Sequence, residues 1–311
     1  VSYYVGLVTL LMFPGGWVCD RLGSRRALIV ALGLLSVGRS LLVFSAHQDW
    51  GIGWALLALT LMATGTGIVQ PSVYAAVKEY TLPSQSTSGY AWLYAIMNLG
   101  TVVWFLISPS VRGMGGGIVS VYFTLAGLTW LNWLLQLTFF RQPPLNQVKR
   151  TSTGWSWELF QPRFLVFIWL LIPVRNLVAH LTFTLPTYVE RVHAAIFSRL
   201  EYCFALNSFL LFVATPLFAR LTLGWPILTL MIGGSLISVI SLGFFALPGG
   251  VGGLIAFIVL FSLGEAIWQS RFFEYVAHIA PPGQVGAAMS LANFPWFVTK
   301  SMAGLYSGWM L

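Results

Sequence analysis

The sequence predicts an all-α protein that crosses a membrane many times. Of its 311 residues, 58% are hydrophobic and only 8% are charged, whereas a soluble domain carries about a quarter charged residues. The mean hydropathy is +0.82. Apolar stretches of membrane-spanning length follow one another along the chain, and such stretches are typical of transmembrane helices. The roughly ten-residue alternating segments of a membrane β-barrel are absent from the sequence.

Ten spans are predicted, and most of their boundaries are marked by Pro, Gly or charged residues. Their predicted bounds are 1–18, 27–46, 54–77, 89–111, 118–140, 164–187, 200–220, 226–247, 251–278 and 286–308. No signal peptide is visible, because the chain opens inside an apolar stretch without an initiator Met. We therefore expect the sequence to be truncated at its N-terminus.

The basic residues between the spans predict the orientation of the chain. If the segment 19–26 is cytoplasmic, alternate segments up to 279–285 lie on the same side. That side then holds Arg21, Arg25, Arg26, Lys78, Arg141, Lys149, Arg150, Arg163 and Arg220. The opposite side holds only Arg112, Arg191 and Arg199. Positive charge favours the cytoplasmic side, so we expect both 19–26 and 141–163 to be cytoplasmic.

The long polar segment 141–163 separates five predicted spans from five more. Three prolines, four basic residues and a Ser/Thr cluster give this segment the composition of a linker. The sequence therefore predicts an N-terminal helical bundle over 1–140, a linker over 141–163 and a C-terminal helical bundle over 164–311. Two matched bundles are typical of a secondary transporter.

The segment GWVCDRLGSRR, residues 16–26, resembles the loop signature of the major facilitator superfamily, written G-x-x-x-D-R-x-G-R-R-R. Only Ser24 departs from that pattern. In the family this loop joins the second and third of twelve helices. The resemblance implies the two-bundle major facilitator fold over the whole chain, and it implies a fragment that lacks helices 1 and 12.

Finer patterns resemble the proton-dependent oligopeptide transporter branch of that family. Residues 93–102 are similar to its helix 5 signature F-Y-x-x-I-N-x-G-S-L, and residues 65–71 resemble its helix 4 pattern G-x-G-x-x-K-P-N. Gln70 stands where the branch has a lysine that binds the substrate carboxylate. The resemblance implies that Glu265 takes the role of the helix 10 glutamate, which contacts the substrate's amino group. Asn207 is similarly placed on helix 8.

Ionisable side chains inside the spans are candidates for binding the substrate or the coupling ion. Each costs about 2.5–3.5 kcal/mol at the middle of a helix on insertion scales, so each needs a partner or a hydrated cavity. Glu265, Lys300 and Arg175 lie near the middle of their spans. We expect a cluster whose pairing changes when Glu265 is protonated or a substrate anion binds, with a purely structural ion pair as the alternative. His180 either titrates or stays a neutral hydrogen-bonding residue.

Uncharged polar residues are candidates for lining the same cavity. Gln70 and Tyr74 are four residues apart, as are Tyr94 and Asn98, so each pair shares one face of a helix. We expect Gln70, Tyr74, Tyr94, Asn98 and Asn207 to face a cavity. Hydrogen bonding between helices is the alternative, above all for Asn98.

Charges near the cytoplasmic ends of the spans are candidates for gating. Arg271 and Glu274 have the i, i+3 spacing that permits pairing along one helix face. Lys78 ends the corresponding helix of the first half, so a Lys78–Glu274 bridge would close a cytoplasmic gate. Local, half-solvated contacts at the helix ends are the alternative.

The segment 19–26 and the residues before it are further gating candidates. We expect its three arginines to hold the turn against anionic headgroups, namely Arg21, Arg25 and Arg26. Gly16 permits a neighbouring helix to approach closely, and Gly23 permits a tight turn. We expect Asp20 to face the N-terminus of the helix 286–308, whose dipole favours an acid. The resemblance assigns this contact to stabilising the outward-open state.

The predicted function is secondary active transport of a small solute by alternating access. Proton-coupled symport of a peptide-like or other small organic solute is favoured. An efflux antiporter is the alternative, although Ser108-Pro109 is not followed by the G-P-x-x-G-G pattern of that branch. A membrane enzyme is disfavoured, because the motifs H-E-x-x-H, G-x-S-x-G and C-x-x-C do not occur. A non-transporting sensor of the same fold stays open.

The expected partners are a small-molecule substrate, protons and the lipid bilayer. The net charge of +8 is spread over segments between spans, where it sets topology rather than binding nucleic acid. Cys19 and Cys203 lie on separate spans, so neither a disulfide nor a metal site is predicted. We expect a monomer without a cofactor in the plasma membrane or a bacterial inner membrane.

Overall fold

The computed structural model describes residues 2–48, 50–141, 157–192, 200–246 and 250–310, and these residues form helices joined by short turns, without a strand. The helices are α1 (Ser2–Leu22), α2 (Ser24–His47), α3 (Ile52–Tyr80), α4 (Ser86–Arg112), α5 (Ile118–Phe139), α6 (Pro162–Val192), α7 (Leu200–Leu221), α8 (Ile227–Ser241), α9 (Gly243–Ala246), α10 (Gly250–Ile279) and α11 (Val285–Met310). All except the short α9 correspond one to one with the ten predicted spans. The all-α fold class is confirmed.

The described helices are suited to a membrane by length and by composition. Seven of them are long and apolar enough to cross a bilayer, namely α1 to α5, α7 and α10. Two shorter apolar helices cover Phe164–Asn176 and Ile227–Ser241. Span 226–247 was predicted too long, because α8 ends at Ser241 and a separate short helix follows it.

The chain divides into two compact units, and each unit combines segments from before and after the predicted linker. The first unit comprises Val1–Tyr80, Pro109–Ile172 and Ile279–Leu305, and the second comprises Thr81–Ser108, Pro173–His278 and Tyr306–Leu311. Each unit therefore contains helices from both halves of the sequence. The division into bundles over 1–140 and 164–311 stays a prediction, and most of the linker 141–163 lies outside the described residues.

The core of the first unit includes apolar contacts between α1, α3 and α11. Val8 and Met12 are buried on one face of α1, and they form a cluster with Ala63 of α3 and Phe297 of α11. Spacing of four residues places Val8 and Met12 on one side of the helix. These contacts hold α11 beside α1 in the first unit.

In the second unit, α10 is the helix with the most consistently buried face. Its aromatic side chains Phe257, Phe261, Trp268 and Phe272 are each at most 2% exposed. Ala266 of the same helix belongs to an apolar cluster with residues of α7, and Tyr94 of α4 packs against that cluster. Polar side chains on α10 are consequently removed from lipid and must find partners on neighbouring helices.

Candidate functional site

A row of buried polar side chains runs along α10. Ser262, Glu265 and Gln269 are spaced by three and four residues, so they share one face of the helix, which we call the polar face. All three are at most 5% exposed. Each is joined to a different neighbouring helix of the second unit, so the polar face connects α10 to α7, α4 and α6.

Glu265 is the acid at the centre of the polar face. The hydroxyl group of Tyr94, on α4, donates a hydrogen bond of 2.7 Å to its Oε1 atom. The carboxyl group also interacts electrostatically with Arg175 of α6. The predicted cluster of Glu265, Arg175 and Lys300 stays a prediction, and the structure adds Tyr94 as a direct partner of Glu265.

Arg175 is held in a polar and aromatic environment inside the second unit. It is 3% exposed, and its Nη1 donates a hydrogen bond of 3.0 Å to Oε1 of Gln269. The guanidinium carbon lies 4.6 Å from the ring centroid of Phe272 and 5.1 Å from that of Trp268. Aromatic faces attract a cation, so these rings and Gln269 together hold a positive charge one helical turn from Glu265.

Asn207 of α7 forms the third connection of the polar face. Its Nδ2 donates a hydrogen bond of 2.8 Å to Oγ of Ser262, and Ser262 in turn donates to the carbonyl oxygen of Ile258 at 2.6 Å. Asn207 was predicted to line a cavity, with interhelical hydrogen bonding as the alternative for such residues. The structure gives it the interhelical hydrogen bond.

Three other predicted binding residues belong to the first unit. Lys300 belongs to the first unit, where its Nζ lies 4.1 Å from the ring centroid of Trp296. Gln70 and Tyr74 are on α3 of the same unit, and Tyr74 is buried. The side chain of His180 lies outside the described residues.

Asn98 of α4 is bonded within its own helix. Its Nδ2 donates to the carbonyl oxygen of Tyr94 at 2.8 Å. The alternative given for Asn98 was a hydrogen bond to another helix, whereas this hydrogen bond stays within α4. The chemical consequence is that the Asn98 side chain supports the turn of α4 that carries Tyr94.

A second polar cluster lies toward the C-terminal end of α10. Arg271 pairs with Glu274 at 2.8 Å, as the i, i+3 spacing predicted. Thr87, near the start of α4, donates its hydroxyl to Glu274 and accepts a hydrogen bond of 3.0 Å from Nη1 of Arg271. Nη2 of Arg271 donates to the carbonyl oxygen of Thr222 at 3.0 Å and to that of Ala219 at 3.4 Å.

This cluster, Arg271 with Glu274, Thr87 and Thr222, is called the arginine hub below. It joins α10 to the first turn of α4 and to the last turn of α7 and the residue after it. Because Lys78 belongs to the first unit, the predicted Lys78–Glu274 bridge stays a prediction. The two threonines were missed, since an isolated threonine carries no pattern that marks it as a cross-helix partner.

In the first unit, Asp20 binds the N-terminal end of α11. The backbone N–H of Gly286 donates to Oδ1 at 2.7 Å, and that of Ala287 donates to Oδ2 at 2.9 Å. The first N–H groups of a helix have no partner within the helix and carry its positive dipole end. The predicted contact between Asp20 and this helix is confirmed, and we call Asp20 with these two amides the amide latch.

Two glycines make the amide latch possible. A methyl group added at Gly16 would lie 2.5 Å from the carbonyl oxygen of Gly286, so only glycine lets α1 and α11 approach this closely. Gly23 has φ of 79°, a backbone conformation that side-chain-bearing residues rarely adopt, and it joins α1 to α2. Both structural expectations for these glycines are confirmed.

The charged residues around the amide latch have separate contacts. Arg21 lies over the ring of Trp17, with 4.5 Å between the guanidinium carbon and the centroid. Arg25 donates through Nε to the carbonyl oxygen of Phe140, and Arg26 is exposed. Glu79, near the end of α3, accepts a hydrogen bond of 2.5 Å from the hydroxyl of Ser24.

These groups differ in the chemistry that they offer. The polar face offers a carboxylate with an exchangeable hydroxyl partner and a fixed guanidinium group. The amide latch and the arginine hub join helix ends. Among the described residues, no group of three or more His, Cys, Asp or Glu side chains is placed to hold a metal ion.

A family model covers nearly the whole chain. The family model described as Major Facilitator Superfamily matches residues 1–303. The chain is 25% identical over 152 residues to "Probable anion transporter 6" of Oryza sativa subsp. japonica, covering 49% of this chain and 34% of that protein. It is 27% identical over 149 residues to "Dipeptide and tripeptide permease A" of Yersinia pestis, covering 47% and 29%. The chain thus spans about a third of the length of these curated relatives.

Solved structures show the same fold. The human organic anion transporter MFSD10 matches with a TM-score of 0.78 and 15% identity, covering 98% of this chain and 76% of that one. The E. coli fucose:proton symporter FucP matches with a TM-score of 0.71 and 14% identity, covering 99% and 82%. At this level of identity the likeness establishes the architecture of the chain, and the predicted two-bundle fold of that family is confirmed.

Proposed function

The chain belongs to the Major Facilitator Superfamily, and from that membership we propose that it moves a small organic solute together with protons by alternating access. It is a multi-pass membrane transporter and not an enzyme. The finer proposal concerns the coupling ion and the substrate. One observation carries it: a buried carboxylate, Glu265, interacts electrostatically with a buried cation, Arg175, which bonds to Gln269 on the same face of α10.

Glu265 is proposed as the group that takes up and releases the coupled proton. An ionisable side chain inside a membrane-spanning helix is costly and typically marks an ion or substrate path. Its partner is the hydroxyl of Tyr94, which can donate to a carboxylate and can rotate to accept from a carboxylic acid. Both protonation states of Glu265 therefore keep a hydrogen bond, which permits the proton to exchange during transport.

Arg175 is proposed to select a substrate that carries a carboxylate. A guanidinium group binds a carboxylate through two parallel hydrogen bonds when a substrate reaches it. The aromatic rings and Gln269 hold Arg175 in place before a substrate binds. Relatives named as an anion transporter and as a dipeptide and tripeptide permease support an acidic or peptide-like solute.

The amide latch and the arginine hub are proposed to act as gating contacts. Both lie at the ends of helices, and on the predicted orientation both lie on the cytoplasmic side. A contact that depends on two helix ends being adjacent breaks when those ends separate. The binding and gating residues would then occupy different depths, as alternating access requires.

The test is transport by the full-length protein reconstituted into liposomes. We expect uptake of radiolabelled dialanine or a radiolabelled monocarboxylate to rise when the outside is acidified, and to collapse when a protonophore is added. A sodium gradient alone should drive no uptake. Uptake that depends on a sodium gradient and does not respond to the proton gradient would overturn proton coupling. Export of the substrate driven by protons moving inward would establish antiport instead.

A further inference from the structure

A crevice of about 380 Å³ opens between α4 and α7 in the second unit. Its walls are lined by Ser88, Ala91 and Trp92 of α4, by Pro216, Leu217, Ala219 and Arg220 of α7, and by Leu223. The crevice adjoins the arginine hub, because Ser88 follows Thr87 in the chain and Ala219 accepts a hydrogen bond from Arg271. It is distinct from the polar face that the proposed function uses.

The lining of the crevice is amphipathic. Trp92 and Leu217 are each 51% exposed and Leu223 is 61% exposed, so a large apolar surface faces outward from two membrane-spanning helices. Arg220, in the last turn of α7, is the one cation of the lining, and it too is exposed. Ser88, an exposed residue of α4, lines the same space. Polar groups at one end and apolar walls beside them match the two parts of a lipid molecule.

Arg220 of α7 differs from Arg271 of α10 in its ion pairing. Arg271 is buried and pairs with Glu274. Across the described residues, no carboxylate lies within ion-pair distance of Arg220. A cation at a helix end in contact with a bilayer attracts anionic headgroups, so Arg220 has charge available for a ligand.

We propose that this crevice binds an anionic phospholipid of the cytoplasmic leaflet, in the predicted orientation. The phosphate lies against the guanidinium of Arg220, which suits phosphate through paired N–H donors, and the hydroxyl of Ser88 donates to the same group. An acyl chain covers Trp92 and Leu217. A headgroup with its own cation, such as choline, satisfies the phosphate internally and has less need of Arg220.

The consequence is a link between lipid composition and the arginine hub. A lipid in the crevice contacts α4 beside Thr87 and α7 beside Ala219, the two helices that Arg271 joins. A bound lipid therefore adds contacts to the arrangement in which the hub is intact. A ligand that binds one state better shifts the population toward it, so anionic lipid stabilises this arrangement of α4 and α7.

The test is native mass spectrometry of the full-length protein. The protein is mixed in detergent with phosphatidylglycerol or phosphatidylcholine, and the lipid that stays bound after the detergent is removed is measured. We expect phosphatidylglycerol to be retained in preference, and Arg220→Gln to lower its retention by about fivefold, the contribution of one interfacial cation. Arg191→Gln removes an exposed arginine at the end of α6, on the opposite predicted side, and should change nothing. Arg220→Lys should retain most of the preference.

A second variant on the other wall of the crevice tests the proposal even if Arg220→Gln fails to fold. Ser88→Glu places a negative charge on an exposed position of the other wall and should reject phosphatidylglycerol while leaving phosphatidylcholine unaffected. Equal retention of the two lipids by the wild type, or unchanged retention in both variants, would overturn the proposal. Displacement of the adduct by excess inorganic phosphate would identify a soluble-anion site and would overturn it as well.

Discussion

In the first unit, the carboxylate of Asp20 is bound by two backbone amides of α11, whereas in the second unit the carboxylate of Glu265 is bound by one side-chain hydroxyl of α4. Backbone amides at a helix end are fixed in direction and cannot rotate away while the helix persists. A tyrosine hydroxyl rotates and both donates and accepts. The same functional group is thus held by a rigid partner in one unit and by an adaptable partner in the other.

This difference separates two kinds of function. The amide latch is broken only when α1 and α11 move apart, so Asp20 senses the position of a helix. Glu265 can change its protonation state or its partner without any helix moving, and it interacts electrostatically with Arg175. We therefore expect variants of the polar face to alter coupling and variants of the amide latch to alter the balance of conformations.

The largest effect is expected from Glu265→Gln. The amide keeps an acceptor for Tyr94 but cannot carry a proton, so uptake driven by the proton gradient should fall to the level of protein-free liposomes. The measurement is initial uptake into proteoliposomes under an inward proton gradient. Glu190→Gln, at an exposed position near the end of α6, is the matched control and should transport normally.

Exchange without a gradient distinguishes loss of coupling from loss of folding. A Glu265→Gln protein that still exchanges substrate across the membrane is folded and uncoupled, which is the expected outcome. If proton-driven uptake stays at the wild-type rate, Glu265 is not the coupling group. The polar face would then be a structural element like the amide latch.

The next largest effect is expected from Gly16→Ala. The added methyl group meets the carbonyl oxygen of Gly286 at 2.5 Å, so α1 and α11 must separate, and overpacking of this kind costs about 1–3 kcal/mol. We expect a lower melting temperature of the purified protein and slower uptake. Gly6→Ala is the matched control on the same helix, because nothing lies within 4 Å of the added methyl group; a loss of the same size in both would remove the close contact as the cause.

A smaller effect is expected from Asp20→Asn, which keeps the shape of the side chain and removes its charge. A charge at a helix N-terminus contributes about 0.3–2 kcal/mol, so the population with the latch open should increase several-fold. Cys19, buried beside the latch, reports this opening through its rate of alkylation by N-ethylmaleimide. The half-buried Cys203 serves as an internal reference. Unchanged labelling of Cys19 relative to Cys203 would show that the charge does not hold the latch.

The same contrast explains what could be predicted from the sequence. The contact of Asp20 with α11 was predictable because its parts are local: an acid ends α1, two flanking glycines permit the turn and the close approach, and the helix dipole gives the acid a target. The pairing of Arg271 with Glu274 was predictable from i, i+3 spacing. In each case the geometry of one turn or one helix fixes the result.

The partners on the polar face depend on how helices far apart in sequence are rotated against each other. Gln269 was missed although it follows Glu265 by one turn, since the predicted depth of Arg175 does not show which side chain of α10 its guanidinium group bonds to. Thr87 was missed for the same reason, because its role exists only when α4 and α10 pack together. Long-range helix rotation is determined by the packing of large side chains such as Trp268 and Phe272 rather than by a local motif.

The smallest effect is expected from Thr87→Val, which tests whether the arginine hub resembles the rigid amide latch or the adaptable polar face. Valine keeps the shape of the side chain and removes the hydroxyl that joins Arg271 and Glu274, at a cost of about 1 kcal/mol. If the hub is rigid, the melting temperature falls slightly and the substrate dependence of uptake is unchanged. Thr101→Val on the same helix removes a hydroxyl that bonds only to its own backbone and should be silent. A change in apparent substrate affinity without a change in melting temperature would instead place the hub among the adaptable contacts, because Arg271 and Glu274 would then re-pair during transport.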